Sequence, residues 1–359
     1  MPPPGNLLRS HAGLELPSEV CLAVFEHAVE DDPRSAATLM QISKTFHSLL
    51  KTYEKSITKL LSSNDSWLEY VNAKQHMLLS SCIFPGDATV TMFTYGWYRE
   101  VRFRSAITDL LIEHDITAMD DTTTNDWPSL DVPRSELRAR AVEFKKRSFS
   151  LMYRLVDTTA GMVTKQEVRA QQAQFLASLS ATELAMLGCM VEVIGQGFFA
   201  YTRKLVLSSF CKTIVNERYQ VVPLSSMDLH NVPTPVPPFD WDELLNGQNW
   251  ITEYACVFED RVQRFGPYFA WAYVTSSQAR KLRPDHWVNS ELQQGIHDLN
   301  AYEGGYTMAY ASLQSVVWRT FCGKIQCSLE DSWDAAKKMV ELEMVQFRIE
   351  ACDTKMGMD

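Results

Sequence analysis

No Cys-x-x-Cys pair and no cysteine/histidine cluster of zinc-finger spacing occurs in this chain of 359 residues, although it holds eight cysteines. Cys21, Cys82, Cys189, Cys211, Cys256, Cys322, Cys327 and Cys352 are scattered, and the nearest pair, Cys322 and Cys327, has no second half with which to complete a metal site. The opening Met1-Pro2-Pro3-Pro4-Gly5-Asn6 has no charged start followed by an apolar segment. That argues against secretion and for reduced, buried thiols in a cytoplasmic or nuclear protein. Positive charge is in short supply as well: 34 Lys and Arg stand against 44 Asp and Glu, a formal net charge of −10. Such a field repels a phosphate-rich partner, so nucleic acid is not expected.

Long uncharged apolar runs are also missing. The nearest approach, Leu184 to Tyr201, carries Glu192 at its middle, with Gly195, Gln196 and Gly197 just beyond. A carboxylate at a bilayer centre costs roughly 2.5 to 3.5 kcal/mol, so the run is expected to be a buried core helix and no membrane partner is expected. Catalytic signatures are absent in the same way. His27, His47, His76, His114, His230, His286 and His297 form no H-E-x-x-H, and no nucleophile elbow accompanies them. Gly195-x-Gly197 and Gly304-Gly305 lack the third glycine and the strand-to-helix setting of a phosphate loop, which leaves them as turn or close-packing glycines. No cofactor, no metal and no enzymatic activity of its own are expected, and no internal repeat marks a solenoid or propeller.

What is there is helical patterning. Hydrophobic residues make up 46% and charged ones 22%, which excludes global disorder and leaves room for a sizeable core. Beyond a disordered tail over 1–13, Pro17 suits a first helical position and Glu19 complements the helix dipole. Val20 with Val24 and Cys21 with Phe25 have helical spacing until Glu30-Asp31-Asp32-Pro33 ends the run. A second helix starts near Ser35, with one narrow apolar seam of Leu39, Ile42, Phe46, Leu49 and Tyr53, and Ile57, Leu60 and Leu61 offer a short third. Helices this short cannot bury one another, so a further element or a partner must cover them.

Capping-box spacing recurs at Ser66 with Glu69, Ser180 with Glu183 and, approximately, Ser328 with Asp331. A long helix is expected from about Ser135 to Val156, and a last one carries Trp333, Ala336, Val340, Met344 and Phe347. Val90 to Tyr95 is β-prone and allows at most an isolated strand pair, while 115–133 reads as loop. The stretch 223–238, with five prolines, reads as an extended crossover. The expected fold is all-α: a short three-helix module over 14–62, then a large irregular helical domain over 66–359.

The N-terminal letters go further than amphipathicity. Leu16-Pro17-Ser18-Glu19-Val20, then Val24-Phe25, then Ile42-Ser43-Lys44-Thr45-Phe46 with Leu49 resembles the F-box. That family opens on Leu-Pro-x-Glu-Leu/Val, places an Ile/Val-Leu/Phe pair a turn later, and closes with Val/Ile-Ser/Cys-Lys/Arg-x-Phe/Trp. The resemblance covers about Leu14 to Leu61, and departs from the family at Ala28 and in the inter-helix loop Asp31-Asp32-Pro33-Arg34. It implies a small helical trap that docks a Skp-type adaptor and, through it, a cullin, so that the chain is a non-catalytic substrate-recruiting subunit of a cullin-RING ubiquitin ligase with an unknown protein substrate. It implies Leu16, Pro17, Val20, Val24, Phe25, Ile42 and Phe46 as the adaptor-binding residues.

Two other functions compete. A helical interaction scaffold without ligase work would use the same patterning. A magnesium-dependent terpene-type lyase is faintly echoed by Asp120-Asp121-Thr122-Thr123-Thr124-Asn125-Asp126, but Thr124 stands where a carboxylate is needed and Pro133 where a glutamate is. The basic cluster Arg138, Arg140, Lys145, Lys146 and Arg147, interleaved with Glu136, Glu143 and Phe144, reads as the wet face of a helix rather than a nuclear-import or phosphate patch. The nine tryptophans, among them Trp241, Trp250 and Trp271, read as core first and substrate surface second.

Overall fold

The computed structural model describes residues 17–63, 77–80, 89–119, 134–162, 164–216, 250–278, 284–303 and 312–343. Among them twelve α-helices, one 3-10 turn and one two-stranded ribbon occur, and the protein is all-α as expected. The chain divides into two compact units, Met1–Leu79 with Ala88–Ser105, and Ser80–Asp87 with Ala106–Asp359. The expected boundary at 62–66 falls inside the first of these.

In the first unit, α1 (Ser18–Asp31), α2 (Ser35–Ile42) and α3 (Lys44–Ser63) pack on one another. Pro17 stands one place earlier than expected, as the cap. Its ψ of 143° is extended, and its carbonyl accepts from Val20 N–H at 3.1 Å and Cys21 N–H at 3.2 Å. The seam expected to run from Leu39 to Tyr53 is interrupted at Ser43, whose φ of −155° and ψ of 156° end α2. Its hydroxyl accepts from Phe46 N–H at 3.1 Å, satisfying a donor that a new helix leaves orphaned, and α3 runs on without a break. The inward stripe of α3 is therefore Phe46, Leu50, Ile57 and Leu61, and Leu60 and Tyr53 face outward.

Three helices do not close this core. The ribbon β1 (Met77–Leu78) with β2 (Thr89–Val90), and the first half of α4 (Tyr95–Glu113), supply Met77, Tyr95, Trp97, Tyr98 and Val101 to it. Hydrogen bonds fix the join: Tyr95 O–H donates to Leu50 O at 3.0 Å, Tyr95 N–H to Glu54 Oε1 at 2.9 Å and Thr58 Oγ1 to Phe93 O at 2.7 Å. The last of these helps to hold Phe93 at a φ of 63°, a left-handed conformation that is uncommon for a bulky residue. On α4, the buried Glu100–Arg104 pair at 3.0 Å reaches β1, where Arg104 Nη2 donates to Leu78 O at 2.6 Å.

The second unit is built around α7 (Ala181–Asn216), flanked by α5 (Arg134–Asp157), α8 (Trp250–Phe265), α11 (Leu313–Ile325) and the 3-10 turn Asp115–Thr117. The helices α6 (Lys165–Ser178), α9 (Pro267–Gln278), α10 (Pro284–Glu303) and α12 (332–343) complete it. The stretch Ala181–Thr202 is long and apolar enough to cross a membrane, but most of it is buried by the other helices. Two glycines permit that closeness. A side chain on Gly197 would strike the backbone of Ile116, and one on Gly188 would strike the Trp318 ring, so these are close-packing glycines. Phe198 stacks on Phe258 at 4.3 Å and both meet Tyr273, whose hydroxyl bonds Thr202 at 2.7 Å.

Buried polar groups lock the same helices. Asp260 on α8 accepts two bonds from Arg169 of α6 at 2.7 and 2.5 Å, one from Arg261 at 3.0 Å and the first N–H of α11, from Leu313, at 3.3 Å. Arg261 in turn donates to Glu291 O at 3.1 Å and pairs with the Glu291 carboxylate at 3.2 Å on α10. Glu192, the charge at the middle of the apolar helix, accepts from Gln314 at 3.1 Å and Trp318 at 3.3 Å. In the basic cluster on α5, Lys145 departs from the expected wet face, whereas Arg140, Lys146 and Arg147 stay half-exposed. Lys145 is buried, donates to Ile112 O at 3.0 Å, and desolvation lowers it to about 8. Arg147 pairs with Glu143 at 2.9 Å.

Glu259 lies against Gly195, and burial, then the nearby Glu192 and Asp260 charges, hold its carboxyl well above the ordinary 4.5. The folded state therefore keeps a proton that the unfolded chain releases, and this residue's contribution to stability falls as pH rises above 4.5. Glu259→Gln is expected to match the native protein in stability below pH 4.5 and to exceed it increasingly as pH rises, read by denaturant unfolding at several pH values. A stability difference that does not change with pH would refute this assignment.

Candidate functional site

The motif residues of the N-terminal unit separate into two sets. Phe25 is 2% exposed and Phe46 6%, and their rings meet edge to face with centroids 4.9 Å apart at 85°. They are part of the core shared by α1, α3 and the start of α4. Val20, Val24 and Ile42 are 45%, 58% and 48% exposed, and Pro17 is exposed as well. Leu16 lies outside the described residues.

Helix geometry explains the division. On α1, Cys21, Phe25 and Val29 are four apart and point into the core, while Val20 and Val24, also four apart, lie on another face and Pro17 caps the helix. Ile42 is the last residue of α2 and Phe46 lies in the first turn of α3, so the extended Ser43 between them lets one face out while the other faces in. An unbroken helix would place residues four apart on the same side. Of the residues that carry the resemblance, Phe25 and Phe46 are thus buried, while Pro17, Val20, Val24 and Ile42 are exposed.

No family model matches the chain, and no curated protein or solved structure matches it.

Two exposed apolar residues were not expected: Tyr53 and Leu60, seven apart on α3, at 39% and 50% exposed. The spacing signal was present but misleading, because Tyr53 continues the three-and-four pattern of Leu39, Ile42, Phe46 and Leu49 across the break at Ser43. The set offers shape and apolar area rather than acid, base or nucleophile chemistry.

The remaining candidates fare differently. Asp120, Asp121 and Asp126 of the lyase reading lie outside the described residues, as do Trp241 and the segment 223–238. Among the described residues no group of three His, Cys, Asp or Glu side chains is placed to hold a metal ion. Trp97 is buried in the first unit's core. Trp271 stacks with Tyr268 at 5.4 Å, and Trp287 meets Phe265 and Phe269 at 5.1 and 5.3 Å.

The division predicts unequal stability effects on one helix. Phe25→Ala removes a buried ring and is expected to cost about 3–5 kcal/mol of protection in native-state hydrogen exchange of the α3 amides. Val24→Asp, at an exposed site and with similar helix propensity, is expected to change it by less than about 0.5 kcal/mol. Equal losses in the two variants would show that Val24 is packed.

Proposed function

We propose that this protein is a non-catalytic substrate-recruiting subunit of a cullin-RING ubiquitin ligase, which docks a Skp-type adaptor through Pro17, Val20, Val24 and Ile42. The observation that carries the reading is the exposure of these four apolar residues on a module whose sequence, from Leu16-Pro17 to Ile42-Ser43-Lys44-Thr45-Phe46, resembles the F-box. Large apolar side chains held on short, rigid helices are suited to a partner's groove, because little conformational entropy is lost when they bind. Phe25 and Phe46 act from behind: their edge-to-face contact fixes the angle at which α1 and α3 present that set. Within this reading the substrate is recruited by the unit that contains Ala106–Asp359.

Purified full-length protein mixed with a purified Skp-type adaptor at micromolar concentration is expected to form a stoichiometric complex. The combined variant Val20→Asp, Val24→Asp and Ile42→Asp is expected to weaken it at least about tenfold while keeping the native melting profile, since apolar anchors carry most of such an interface. Absence of a complex with the unaltered chain would overturn the ligase reading and favour a scaffold that uses this face for another protein.

A further inference from the structure

At the end of α11 the chain turns through Gln326, whose φ of 60° and ψ of 42° place it in the left-handed region. Two amides then converge on one carbonyl: Gln326 N–H and Cys327 N–H both donate to Cys322 O, at 2.8 and 3.3 Å. The second bond, from the second residue past the helix back to its last full turn, belongs to the Schellman motif, which brings those two side chains together, commonly as an apolar contact. Here both side chains are thiols, and the Cys327 and Cys322 sulfurs are 3.5 Å apart. Cys322 is buried and its thiol donates to Ser328 O at 3.3 Å, while Cys327 is half-buried. Both are free.

We infer that Cys322 and Cys327 form a thiol/disulfide site, oxidised by a low-molecular-weight disulfide of the glutathione type. The juxtaposition is set by local backbone geometry, so the sulfurs need only close from van der Waals separation to a bond of about 2.05 Å. Access and acidity assign the order of events. Burial and the adjoining Cys327 thiol push the Cys322 thiol up to about 11, so the buried sulfur is the weaker starting nucleophile. Cys327, the more accessible, attacks one sulfur of the small disulfide. A mixed disulfide forms at Cys327 and one glutathione thiolate leaves with the Cys327 proton. Cys322 then attacks the Cys327 sulfur and expels the second thiolate, which takes up the Cys322 proton. Two protein thiols and one small disulfide become one protein disulfide and two small thiols.

The consequence is local and readable. Oxidation removes the thiol that donates to Ser328 O and ties the end of α11 to the residue before Ser328, whose Oγ accepts from Asp331 N–H at 3.1 Å in the turn ahead of α12. The turn that separates the two helices becomes covalently closed.

The test is equilibration of the full chain in buffers of reduced and oxidised glutathione, alkylation of the remaining thiols, and tryptic mapping. Lys324 lies between the two cysteines, so cleavage after it leaves two peptides joined only if the bridge has formed. The expected result is that joined pair, lighter by two hydrogens than the reduced peptides, with neither thiol alkylated. Cys322→Ser is expected to stop at a glutathione adduct on Cys327, and Cys327→Ser to leave Cys322 alkylatable after unfolding. The inference is overturned if the native chain accumulates the adduct on Cys327 with no joined peptide, or if both thiols remain free in the most oxidising buffer.

Discussion

Ser43 is the constraint on which the N-terminal unit depends. An extended residue between Ile42 and Lys44 ends one helix, and a hydroxyl bonded to Phe46 N–H starts the next. Without that interruption Ile42 and Phe46 would share a face, and α2 and α3 would present one seam and no outward apolar residue at their junction. With it, Phe46 turns in to meet Phe25, and Ile42 stays in solvent with Val20 and Val24. The same geometry that completes the core therefore produces the face proposed for docking. A substitution at Ser43 would disturb both.

The second unit is held by a different device. Asp260 and Arg261, adjacent on α8, reach α6, α10 and the first turn of α11, so one helix carries the charges that fix three others. Taking a carboxylate and a guanidinium out of water costs several kcal/mol each before pairing, and that cost is offset only where every oxygen and most N–H groups find partners. Loss of one partner would leave a buried charge uncompensated, which makes the arrangement intolerant of change. Around it, Gly188 and Gly197 let α7 approach its neighbours, and Glu192 accepts hydrogen bonds from Gln314 and Trp318 of α11.

Local signals were the legible ones. The helix expected from about Ser135 to Val156 runs Arg134–Asp157, the start near Ser35 holds, and the capping box at Ser180 is formed, while at Ser328 the hydroxyl accepts from Asp331 N–H in the turn ahead of α12. A strand pair occurs ahead of α4, but it joins Met77–Leu78 to Thr89–Val90, so of the β-prone stretch Val90 to Tyr95 only Val90 is strand and Tyr95 already begins the helix. Thr164 with Glu167 has the same spacing and is also a capping box. The break at Ser43 was hidden because the apolar spacing continues through it, and a serine that caps differs from one on a wet face only in its backbone angles. The burial of Lys145 and the Asp260 hub were hidden for another reason. Their partners lie tens of residues away, and periodicity carries no information about which distant carbonyl or carboxylate a side chain will meet. The thiol pair lies between: five residues apart in sequence, it becomes a site only through the left-handed turn at Gln326.

The most direct measurement of the docking face is methyl NMR of the full chain with selectively labelled valine and isoleucine, recorded with and without a purified Skp-type adaptor. The account predicts that the methyl signals of Val20, Val24 and Ile42 shift or broaden while those of the buried Val29 and Ile57 hold their positions. Perturbation confined to methyl groups of residues beyond Ser105, or no perturbation at all, would contradict it.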